Sequence, residues 1–385
     1  MSNKQGYISP LARRHRSAVF YSMLTLFVLS VPVFAFYANG YRLDLLSEQR
    51  TVTVTGGMYI ASYADSTDIY VNDRPVRNTR FFRRATYIQG LAPGRTRVHV
   101  QGEGLHTWVK ELPVFEQIVT EATAFTMPVV PQIRPITPYR TAAGMPLFVG
   151  YASTSSLPFQ FASTTIPVAF STSTATTTAL ENPEYEFLTT RLAQLHRPDL
   201  QAAPQERFRF VSPEDGPGLV GTTTVATSTV QRSGIELSFR NSEVYARYVG
   251  PIRAIPYYWC VPDMTAASTT EFYGEHVTRS LQQLLPIASS TIVARGSWFE
   301  QVCRTEIRLD RKQQPVIWFD FFPGSSDLVL LQLADGLYVT EIDDRSWHNH
   351  QLLYPGSDIE FIVEGASIIV RDGDYFVEVF TEIAD

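Results

Sequence analysis

The residues best suited to chemistry in this chain are few and lie far apart. Its only two cysteines, Cys260 in "PYYWCVP" and Cys303 in "SWFEQVCRTE", can join as a disulfide or stay as two buried thiols that pack as small hydrophobes. An oxidising compartment would let the bond persist. His348 and His350 in "WHNHQ" would face the same side of a strand and could share a metal, but further ligands must come from elsewhere and a solvated loop explains them as well. Asp372 and Asp374 in "RDGDYF" suggest Ca²⁺, although a β-turn accounts for them more simply. In "DRPVRNTRFFRR", Arg74, Arg77, Arg80, Arg83 and Arg84 surround Phe81 and Phe82. Guanidinium pairs with phosphate at two points, so this is a candidate patch for an anionic polymer or lipid headgroups. Its plainer reading is an edge strand kept soluble by charge. No P-loop, GxSxG elbow, HExxH or EF-hand motif occurs, so no cofactor is expected. A hydrolase would need carboxylates brought together by the fold, such as Glu275 or Asp320, which no linear pattern reveals.

The elements that must position these residues begin at a membrane candidate. Between Ser17 and Tyr41 there is no charged residue. A spanning helix needs ~20 apolar residues, and a helix is the one single segment that pairs all its own amides in lipid. Lys4, Arg13, Arg14 and Arg16 precede it without an acid, so the positive-inside bias holds the N-terminus in the cytoplasm and puts the rest of the chain outside. A cleaved signal peptide, with Val33 and Ala35 at the small-residue positions, is the competing reading. Charged residues are only 18% of the chain and aromatics reach 12%, a balance that favours β-rich packing. The net charge of −6 argues against a nucleic-acid partner.

From Arg50 to Met127 the pattern alternates with period two and breaks at turn residues. Asn72-Asp73 and Pro93-Gly94 end strands, and Thr96, Val98 and Val100 face away from Arg95, Arg97 and His99. "MPVVPQIRPITPYR" holds four prolines and reads as an extended spacer. Thr141 to Leu180 carries no charge; it reads as an exposed Ser/Thr tract open to glycosylation or as strands with polar turns. "NPEYEFLTTRLAQLH" and "EFYGEHVTRSLQQLLPI" are helix candidates. "SPEDGPG" marks a loop, Asn241-Ser242 a hairpin turn, and the tail from Pro315 reads as consecutive short strands.

Within this layout, residues 57–127 resemble the PEGA domain, a small β-sandwich of bacterial surface proteins. The likeness rests on "DIYVNDRPV", "LAPGRTRVHV" and "HTWVKELPV". The stretch "FFPGSSDLVLLQLADGLYVTEID" is similar to a blade of a WD40-like or TolB-like β-propeller. Together with the anchor, the Pro-rich stretch and "PYYWC", the layout is similar to membrane-anchored PEGA proteins. That resemblance implies envelope attachment and binding of protein or glycan, with no enzymatic activity, and the position of "PYYWC" adds to the case for a Cys260–Cys303 disulfide.

The expectation is a mainly β protein: a basic cytoplasmic tail (1–16), a transmembrane helix (17–41), a PEGA-like β-sandwich (50–128), a Pro-rich spacer (129–140) and a propeller-like β domain with one or two short helices (141–385). Its expected work is non-enzymatic binding or scaffolding at the cell membrane, with an envelope protein, glycan or anionic polymer as partner and an envelope hydrolase as the alternative.

Overall fold

The charge-free run forms a single helix, α1 (Arg13–Ala38), long and apolar enough to cross a membrane. It stops at Asn39-Gly40, where Gly40 takes the left-handed conformation (φ +81°) that an L side chain disfavours. The computed structural model describes residues 13–43, 52–64, 67–76, 85–147, 179–195, 229–251, 254–262, 266–284, 301–304 and 306–381. The first twelve residues, most of the uncharged Ser/Thr tract, the "SPEDGPG" loop and Arg77, Arg80, Arg83 and Arg84 lie outside them. Among the described residues strand (48%) outweighs helix (22%), so the class is mainly β.

After α1 the chain forms a small antiparallel pair, β1 (Tyr41–Leu43) and β2 (Val52–Val54). Seven strands follow: β3 (Gly56–Ser62), β4 (Asp68–Val71), β5 (Arg74–Pro75), β6 (Ala85–Leu91), β7 (Gly94–Gln101), β8 (Trp108–Val114) and β9 (Val119–Ala124). They make two sheets, ordered β6-β3-β9 and β5-β4-β7-β8, whose inner faces share one core through Met58, Ile60, Val98, Val100, Trp108 and Leu112. Asn72 and Asp73 both have positive φ (47° and 62°), the backbone a two-residue hairpin turn needs to match strand twist. β3 and β9 run parallel, and Gly56 lies where they meet the end of β8: a Cβ there would overlap the Phe115 carbonyl and come within 2.7 Å of Val114 Cγ1.

The remaining strands are β10 (Gln132–Ile136), β11 (Tyr139–Arg140), β12 (Pro146–Leu147) and β13 (Leu180–Glu181), followed by α2 (Pro183–Leu195). Then come β14 (Thr229–Arg232), β15 (Ile235–Arg240), β16 (Glu243–Tyr248) and β17 (Cys260–Pro262), followed by α3 (Ala266–Leu284). The chain continues through β18 (Gln301–Cys303), β19 (Glu306–Arg308), β20 (Trp318–Phe321), β21 (Leu328–Leu333) and β22 (Gly336–Glu341). It ends in β23 (His350–Pro355), β24 (Ile359–Glu364), β25 (Ser367–Asp372) and β26 (Tyr375–Phe380). Three four-stranded sheets result, ordered β14-β15-β16-β19, β20-β21-β22-β23 and β10-β26-β25-β24. Among the described residues the sheets close into neither a barrel nor a ring.

The stretch read as a spacer is thus a sheet strand over Gln132–Ile136, antiparallel to β26. Pro135 is tolerated because β10 is an edge strand, where no further ladder bond is required of it. α2 covers this sheet with Leu188 and Leu192 against Ile362, Ile369 and Phe376. Arg134 on β10 ties it down, bonding Glu184 of α2 and Glu378 of β26. The core of the two-sheet unit runs without a break into Leu330, Val339, Val370 and Val377 of the later sheets.

Candidate functional site

Alternation along β8 turns Trp108, Lys110 and Leu112 inward, so a lysine side chain enters an apolar core. Lys110 is 0% exposed. An unpaired ammonium there would be prohibitively costly, and the chain answers it from far away. β22 is buried along its whole length and ends at Glu341, from which residues 342–349 carry the chain over to β23. Lys110 Nζ donates to Glu341 Oε1 at 2.7 Å and to the Asp343 carbonyl at 2.6 Å, and stands 3.5 Å from Asp343 Oδ2. Trp108 Nε1 donates to the other Glu341 oxygen at 3.0 Å, while Asn349 donates to Oε1 through its backbone and its side chain.

The network continues through two arginines. Arg345 bonds both oxygens of Asp343 and donates to the Glu121 carbonyl of β9 at 2.7 Å, with its guanidinium 4.9 Å from the Tyr257 ring centroid. Arg304 holds both oxygens of Asp344 and also donates to the Tyr258 carbonyl. Three cations (Lys110, Arg304, Arg345) therefore face three carboxylates (Glu341, Asp343, Asp344), all buried.

Burial pushes Glu341 above the usual carboxylate range, with Asp343 adding to the effect and Lys110 and Asn349 opposing it. For Asp343 burial acts in the same direction, but Arg345 and Lys110 together outweigh it and hold the group well below its ordinary value. Asp344 is likewise lowered against burial by Arg304. Every oxygen of these three carboxylates accepts from a fixed protein donor, so none is presented to a substrate. What the arrangement can do is fasten the two-sheet unit to the later sheets.

Residues 342–351 complete the fastening by treating β8 and the chain after β9 as edges to be closed. Asn349 Oδ1 accepts from Val109 N, Ser346 Oγ from Glu111 N, and Trp347 Nε1 donates to the Val109 carbonyl. Gln351 accepts from Met127 N and donates to the Phe125 carbonyl. Side chains thereby replace the strand that an open edge would otherwise recruit.

Cys260 and Cys303 are directly opposed on β17 and β18 and form a disulfide with Cα atoms 4.0 Å apart. Arg304 follows Cys303 immediately, so the bond steadies one cation of the network. Of the arginine patch, only Arg74 is described; it is exposed on β5. His348 packs beside the network, and burial drives its pKa down to about 4 against the pull of Asp344, while its Nε2 has no hydrogen-bond partner among the described residues. His350 contacts Thr340 Oγ1 at 2.9 Å and Asp310 at 3.4 Å. The two imidazole centroids are 6.3 Å apart, and among the described residues no group of three His, Cys, Asp or Glu is placed to hold a metal. Asp372 accepts from Tyr354 OH, and Asp374 follows Gly373 (φ +62°) in the turn between β25 and β26. Glu275 is exposed on α3 with Arg279 at 3.8 Å, whereas Asp320 lies on β20, where burial raises its pKa and Phe321 N donates to it.

Lys110, Arg304, Glu341, Asp343, Asp344 and Arg345 fall in no linear motif. Two signals were present: a lysine on the apolar face of "WVKEL", and the charged run "EIDDR" closing an otherwise apolar hairpin. Comparison with protein-family models, curated proteins and solved structures finds no match.

Proposed function

We propose that this chain is a single-pass membrane protein whose N-terminus is cytoplasmic and whose β body stands outside the cytoplasm as a non-enzymatic binding or scaffolding surface of the cell envelope. The observation that carries the reading is that α1 has no buried residue: Phe20, Leu26, Phe27, Leu29 and Phe34 are all more than 60% exposed. At roughly 25 cal/mol per Å² of apolar surface, such a helix has no reason to stay in water, and lipid is the cover that suits its length. The Cys260–Cys303 bond supports an oxidising location for the body.

The two facing sheets between Gly56 and Ala124 support a PEGA-type sandwich, and the three four-stranded antiparallel sheets support an open, propeller-like arrangement. β10, from early in the chain, completes the last sheet against β26. Binding is favoured over hydrolysis because the concentrated buried charge is saturated internally, Glu275 lies exposed beside Arg279, and Asp320 accepts from Phe321 N. The exposure of Arg74 on β5 supports an anionic-ligand patch that includes it.

Protease added to right-side-out vesicles tests the topology. Digestion of the β body with a protected N-terminal tail is the expected result. A protected body overturns the orientation, and a soluble product beginning near Phe36 replaces the anchor with a signal peptide.

A further inference from the structure

Resting on the membrane-anchor reading of α1, the junction between helix and body specifies how the body meets the bilayer. Ser17–Ala38 spans about 33 Å at 1.5 Å per residue, which matches a hydrocarbon core of roughly 30 Å and puts Ala38 at its boundary. Gly40 follows two residues later, at most about 7 Å further on. The headgroup layer on each side is about 5–8 Å deep, so Gly40 lies within it.

The Gly40 carbonyl accepts from Thr55 N at 2.9 Å and from Thr55 Oγ1 at 2.7 Å, and the Thr55 carbonyl accepts from Gln117 N. A Cβ on Gly40 would come within 2.7 Å of the Thr55 carbonyl oxygen. Helix and sheet thus meet without a linker. Arg42 adds a brace, donating to the Tyr37 carbonyl with its guanidinium 4.5 Å from the Tyr37 ring centroid, and Phe36 and Tyr41 stack at 5.0 Å. β3 and β9 are parallel and both start at this end, where Val119 is 42% exposed.

We propose that the starts of β3 and β9, with Val119 and Arg42, form a phospholipid-headgroup contact surface, so that the body is seated on the bilayer rather than tethered above it. The partner is the headgroup layer itself: phosphate for Arg42, and the shallow apolar margin beneath it for Val119.

The test uses the full chain in phosphatidylcholine vesicles that contain a headgroup-nitroxide lipid. Val119→Cys carries a fluorophore; Cys260 and Cys303 are bonded to each other and do not take the label. Gln117→Cys, exposed beside Thr55, serves as an independent second position. Strong quenching at both positions is expected, with a severalfold loss when a flexible Gly/Ser spacer is inserted between Ala38 and Asn39. Weak quenching in a chain that resists carbonate extraction overturns the seating, as does quenching that the spacer leaves unchanged. Extraction of the parent chain by carbonate would instead refute the anchor reading.

Discussion

Replacing Lys110 with methionine keeps the aliphatic stem and deletes the charge. In the structure that charge faces Glu341 and Asp343 at 2.7 and 3.5 Å inside the core. Breaking a buried pair from one side costs roughly 3–5 kcal/mol, set against a typical total of about 5–15. The folded-to-unfolded ratio should fall roughly 140- to 3,700-fold at 1.4 kcal/mol per decade. The loss depends on pH. Glu341 already has a raised pKa in the folded state, and a raised carboxyl contributes stability that is present below its unfolded pKa and lost as pH rises through the folded one. Removing Lys110 raises Glu341 further and lifts Asp343 too, so the deficit of the variant grows from acid toward pH 8. Guanidinium unfolding of the full chain in detergent, followed by tryptophan fluorescence at pH 5 and pH 8, measures both quantities. A Lys110→Met/Glu341→Gln double variant should recover much of the loss, because the uncompensated carboxylate is gone. A deficit under about 1 kcal/mol at pH 8, or one equal at both pH values, would refute the argument.

Three further expectations follow from the same structure. Cys260→Ala with Cys303→Ala opens a loop of 43 residues and should cost about 4 kcal/mol on the chain-entropy account, read as a lower denaturant midpoint. His348 should remain neutral in NMR titration down to about pH 4. Because its folded pKa is depressed, its contribution is intact above the ordinary histidine value and lost as pH falls toward 4, and a titration near pH 6.5 would contradict that burial. Gly56→Ala should destabilise by at least about 1–3 kcal/mol, since its Cβ meets backbone at Phe115, and a Tm equal to the parent's would show that β3 and β8 can separate.

Local features were the readable ones. Asn72-Asp73 and Asn241-Ser242 are turns with positive φ at both residues, as their residue types require. The apolar run and both helix candidates correspond to α1, α2 and α3, although Gly274 breaks α3 with non-helical angles. The buried network was not readable as a unit because its six charged members come from three distant stretches of chain, and the Lys110–Glu341 pair alone spans 231 positions. Lys110 was visible as a charge on an apolar face, but its partner is fixed only when β8 packs against the end of β22. The proline-rich stretch misled for a related reason. Pro135 argues against a central strand and says nothing against an edge one, and which strand is an edge is a property of the finished sheet.

That edge position sets an order of events in time. β10 lies early in the chain and β26, its one strand neighbour among the described residues, is the last strand described, so roughly 240 residues must be synthesised before the ladder can form. At about 5–20 residues per second, β10 waits on the order of 10–50 s for its partner. Glu341, which neutralises Lys110, also arrives late. Until then Lys110 is a hydrated charge in the middle of an uncovered apolar face, where it discourages association with other nascent chains. The residue that later demands a buried partner is, during synthesis, the one that keeps its own surface in solution.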